Sequence, residues 1–84
     1  MNKHIINGIE LTFEKRNATL GHDPDLNTPE TLRITAPDGS YSAWNIRANE
    51  MEYYLFSEEV DEAVYATDET YTELRNAIRT VLAS

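Results

Sequence analysis

The chain contains no cysteine. That excludes disulfide staples, thiolate-bound zinc, iron–sulfur clusters and a cysteine nucleophile. Long apolar runs are missing too. The Ile5-Ile6 stretch near the N-terminus is too short for a signal-peptide core, and nothing approaches the about 18 apolar residues of a membrane span. A cytoplasmic protein is expected on those grounds, in a bacterial or an infected host cell. Glycine is scarce, at three residues, and builds no phosphate-cradling loop. His4 and His22 are the two histidines, and neither stands beside a nucleophile motif. Ser40, Ser42 and Ser57 occupy no nucleophile elbow. The sequence therefore reads as non-catalytic, with no cofactor expected.

Positive charge is the scarcest commodity. The 84 residues carry a formal net charge of -8, unevenly spread. Residues 1–47 are near neutral, with six acids against five bases, whereas residues 48–84 hold nine acids against Arg75 and Arg79. Between Arg47 and Arg75 there is no basic side chain. Direct binding to nucleic-acid phosphate or to an anionic membrane needs a Lys/Arg surface, so neither is expected.

What is present suffices for one domain. A chain this short buries roughly 60% of its unfolded surface, so its core is modest. The 40% hydrophobic content is still too high for wholesale disorder. Residues 1–47 read as β and residues 48–84 as an acidic helical half. Asn7-Gly8 between apolar, β-branched neighbours suits a type I′ hairpin turn, because both central residues need positive φ. Ile9, Leu11 and Phe13 then alternate with Glu10, Thr12 and Glu14, one face buried and one wet. Residues 17–30, with Gly21, Pro24 and Pro29, read as a loop. A second hairpin runs through Leu32 and Ile34, turns at Pro37-Asp38-Gly39 and returns through Tyr41, Ala43 or Trp44, and Ile46.

The C-terminal half carries helical spacing. Tyr71, Leu74, Ile78, Val81 and Leu82 form one stripe, with Thr67 or Asp68 as cap and Arg75 and Arg79 further along. Tyr53, Phe56, Val60, Ala63 and Val64 form a matching stripe 18 residues earlier. The expected fold is α+β: an antiparallel meander of about four short strands in two hairpins, then amphipathic helices near 49–65 and 68–83. An alternative makes Glu52–Phe56 a fifth strand and starts a helix at Glu58 behind Ser57.

The first helix concentrates the acids. With its apolar stripe inward, Glu58, Glu59, Asp61 and Glu62 are expected to point away from the core. Glu58 and Glu62 are like charges at i,i+4, which costs about 0.2–0.5 kcal/mol, so helix stability does not select them. Glu50, Glu52, Asp68, Glu69 and Glu73 extend the acidic surface, and Tyr54 and Tyr65 lie on its shoulder. Carboxylates beside aromatics speed encounter with a basic protein and supply anchors once it is bound. The plain alternative is a solvated face that keeps a small protein soluble.

In size, charge and lack of catalytic residues the chain resembles small phage-encoded inhibitors of host defence, anti-CRISPR proteins among them. In composition it is similar also to acidic immunity proteins that block nuclease toxins. These resemblances imply a nucleic-acid mimic whose carboxylates stand where phosphates would, and a basic nucleic-acid-binding protein as partner. Two other readings stand beside this one. In the first, exposed aromatics mediate self-association of an assembly subunit. In the second, Asp23, Asp25 and Asn27 begin a calcium loop, although position six is Thr28 rather than Gly and position twelve is Ile34 rather than Glu.

Overall fold

The computed structural model describes residues 2–16 and 31–83. The loop expected at 17–30, His22 and the calcium-loop candidates Asp23, Asp25 and Asn27 lie outside them. Five strands precede two helices: β1 (Asn2–Ile6), β2 (Ile9–Arg16), β3 (Thr31–Thr35), β4 (Tyr41–Asn45), β5 (Glu50–Tyr53), α1 (Glu58–Val64) and α2 (Asp68–Ala83). The strands form one antiparallel sheet in sequence order, β1-β2-β3-β4-β5. The fold is α+β, with one strand more than the four expected.

Local chemistry sets each turn. Asn7 and Gly8 have φ of 47° and 82°, the pair of left-handed residues a type I′ turn requires. In the second hairpin the Gly39 N–H donates to the Ala36 carbonyl at 3.0 Å, and Gly39 has φ 90°. The Ala36 N–H then donates to the Ser40 carbonyl at 2.8 Å, closing a type I turn with a glycine bulge. The third turn went unread in the sequence. Asn45 accepts from the Ala48 N–H through its side chain (2.8 Å) and from the Asn49 N–H through its carbonyl (2.9 Å), while Asn49 sits at φ 58°. Asparagine tolerates that region, so no glycine is needed.

That turn overturns the first expected helix. Residues 50–53 form β5, and the helix starts only at Glu58, as in the alternative reading. Asn45↔Glu50 and Trp44↔Met51 pair regularly, then Ala43 pairs with Tyr53, leaving Glu52 as the extra residue of a bulge. Tyr53 and Phe56 fit a helical stripe by spacing alone. Met51 against Trp44 fits a strand better, because it buries both side chains.

Alternation puts Ile6, Leu11, Phe13, Leu32, Ile34, Trp44 and Met51 on one face, all buried. The helices cover that face with Val60 and Val64 from α1 and Leu74, Ala77, Ile78 and Val81 from α2. Phe56 joins them from the connecting segment. Each helix is capped by its own sequence. Ser57 accepts from the Val60 N–H, and Thr67 and Thr70 form a reciprocal capping box at 3.1 and 3.2 Å. Because α2 runs on to Ala83, Arg75 and Arg79 lie short of its last turn, which carries no base. No described helix is long and apolar enough to cross a membrane.

Candidate protein-binding surface

The acids expected to form one acidic surface come from three elements. Glu50 and Glu52 lie on the outer strand β5, Glu58, Glu59 and Glu62 on α1, and Asp68, Glu69 and Glu73 on the first turns of α2. All eight are exposed. Asp61 departs from expectation. It is half-buried, its Oδ1 is shut away from solvent, and no described group hydrogen-bonds it. Burial pushes its carboxyl above the ordinary carboxylate value.

Starting α1 at Glu58 changes what its acids mean. Glu58, Glu59 and Asp61 occupy the first turn, where backbone N–H groups and the helix dipole favour negative charge. Those positions have a structural reason to be acidic. Glu62 lies one turn on and has none. Ion pairing separates the two halves further. Among the described residues the ion pairs are Lys3–Glu10 at 3.5 Å and Arg16–Glu14 at 3.1 Å, both within the sheet. Arg33 stacks over Tyr41 at 3.9 Å on the sheet face away from the helices. Arg75 lies 5.9 Å from the rings of both Trp44 and Tyr71.

Tyr65 follows α1 and is half-buried, so it cannot present a whole ring to a partner. It links an aromatic row instead: its ring is 6.2 Å from Tyr54 and 5.8 Å from Tyr71. Its hydroxyl is buried without a described hydrogen-bond partner. Burial first, then the nearby Asp61 carboxylate, pushes the phenol far above its ordinary pKa. Tyr54 is 59% exposed, and the neighbouring Leu55, which sequence reasoning did not single out, is 54% exposed. The Leu55 N–H donates to the buried Ser42 hydroxyl at 3.1 Å, which ties its segment to β4.

Ser57 and Asp38 tie this surface to the sheet. The Ser57 hydroxyl donates to Asp38 Oδ2, and the Ser40 hydroxyl and N–H donate to Asp38 Oδ1. These hydrogen bonds, led by those of Ser40 and Ser57, hold the Asp38 carboxyl below its ordinary value. Among the described residues no three His, Cys, Asp or Glu side chains converge to hold a metal ion. Compared with protein-family models, with curated proteins and with solved structures, the chain matches none.

Proposed function

We propose that the chain is a non-catalytic binding protein that sets the acids of α1 against a basic surface of a partner protein and inhibits by occlusion. One observation carries this reading: Glu58, Glu59 and Glu62 are exposed and make no ion pair with a described residue, whereas Glu10 and Glu14 on the sheet are paired. The exposed Tyr54 and Leu55 precede α1 directly and supply apolar contact area beside the charge. A nucleic-acid-binding protein has the complementary charge. Nucleic-acid mimicry, in a phage counter-defence setting within the cytoplasm, is the specific form proposed. Glu62 is the most telling position, since helix-end electrostatics do not account for it.

Affinity capture from the source cell tests this, with wild type and the triple variant Glu58→Lys, Glu59→Lys, Glu62→Lys side by side. The expected result is a nucleic-acid-binding protein retained by wild type, released by salt and lost from the variant, with circular dichroism unchanged. Undiminished capture by the folded variant, or insensitivity to salt, rejects the proposal.

The exposure of Tyr54 and Leu55 favours a second reading, self-association through that patch. Sedimentation at micromolar concentration distinguishes it. A homo-oligomer that dissociates on Tyr54→Ser with Leu55→Ser would replace the first reading.

A further inference from the structure

The two edges of the sheet are built differently. Strand β5 is short, carries Glu50 and Glu52 and is broken by the bulge at Glu52, devices that discourage further strand pairing. Strand β1 carries no such bulge. It holds regular register with β2 over all five residues and contains neither proline nor glycine. Its one formal charge, Lys3, is turned onto Glu10.

The turn chemistry fixes which backbone groups β1 offers. A two-residue type I′ turn makes Ile6 and Ile9 a hydrogen-bonded pair, and such pairs alternate along an antiparallel ladder. His4↔Leu11 and Asn2↔Phe13 are therefore the next bonded pairs. Lys3 and Ile5 lie between them and direct their N–H and C=O groups outward from the sheet. No described strand pairs with that side. Ile5, 68% exposed, stands there as well.

A groove runs beside this edge. His4, Ile5 and Ile6 form one wall, and Glu73, Asn76, Ala77 and Thr80 of α2 form the other. The helix residues fall at i, i+3, i+4 and i+7, a single stripe along α2. A strand added to β1 would lay alternate side chains along that stripe, where Glu73 is exposed.

We propose that this groove takes an extended segment of a partner protein as a sixth strand on β1, with a Lys or Arg of that segment at Glu73. The outward backbone groups of Lys3 and Ile5 supply the ladder, and strand addition needs little else for affinity. Glu73 sets the sign, because it is the one acid of the groove and the chain as a whole carries -8. A second copy of the chain is disfavoured for the same reason: symmetric β1 pairing would bring two such chains together, each bearing Glu73 along the junction. This surface is separate from α1 and does not depend on its acids.

The test begins with selection of octapeptides from a random display library on the full chain, followed by synthesis of the enriched sequence. The expected peptide is basic and alternating, slows amide exchange at Lys3 and Ile5 and loses binding when its alternate amides are N-methylated. Its affinity should fall about tenfold on Glu73→Lys, because a favourable charge pair is replaced by a like-charge one. It should survive Glu58→Lys, Glu59→Lys, Glu62→Lys, which separates this surface from the acidic one. An acidic or absent selection, binding that tolerates N-methylation in both registers, or dimerisation that itself protects the Lys3 and Ile5 amides would each overturn the proposal.

Discussion

The Ser57 hydroxyl donates to the carboxylate of Asp38, 19 residues earlier in the chain, while accepting from the Val60 N–H. One side chain thus caps α1 and joins it to the β3–β4 turn. Ser57→Ala removes both interactions and should cost about 1 kcal/mol, in line with N-cap deletions. Asp38→Ala should also destabilise, by loosening the turn as well as the cap. Because the two share a network, the double variant should lose less than the two single losses together. Urea denaturation of the four proteins checks this, and strict additivity would mean that the link contributes nothing.

Two aspartates should respond to acid in opposite directions. Hydrogen bonds favour ionised Asp38, so its folded-state pKa lies below the unfolded one. Its contribution is complete above the ordinary carboxylate value and is lost as pH falls through the lower, folded-state value. Asp61 is the reverse. Burial raises its folded-state pKa, so stability falls as pH rises from the ordinary value through the raised one. Asp61→Asn should therefore raise the thermal midpoint at neutral pH, and the gain should vanish below the ordinary carboxylate range. A gain that persists in acid would place its cause elsewhere.

Asn7 serves the fold twice. Its backbone takes φ 47°, and its Nδ2 donates to the Ala63 carbonyl at 2.9 Å, linking the first hairpin to α1. Asn7→Gly keeps the turn and loses the bond, with an expected cost of up to about 1 kcal/mol. Asn7→Ala loses both and should cost about 1 kcal/mol more, because a Cβ strains the left-handed region. Equal midpoints for the two variants would show that the turn conformation is not what Asn7 supplies.

The core and the β1 edge should differ sharply in tolerance. Leu74 is fully buried between α2 and the sheet, so Leu74→Ala should cost about 3 kcal/mol. Ile5→Thr, on the exposed edge, should stay within about 0.5 kcal/mol. Denaturation midpoints give both numbers. A large loss at Ile5 would mean that the edge is packed in solution.

Much of the fold was legible because its causes are local. The Asn7-Gly8 turn follows from the φ values those residues tolerate. The inward set of β2 and β3 follows from alternation, and the long last helix from its stripe and the Thr67 cap. The acidity of residues 48–74 was equally a property of the sequence alone.

Tertiary structure decided residues 49–57. Their spacing satisfies a helix and a strand alike. The outcome turned on Trp44 pairing with Met51, on the Asn45–Asn49 turn that returns the chain, and on Asp38 waiting at Ser57. Trp44 and Asp38 lie on other elements, so no local periodicity could report them. The same holds for Asp61 and Tyr65. Helical geometry placed them side by side, but packing, which withdraws both from water, determined which of the acidic residues remain exposed.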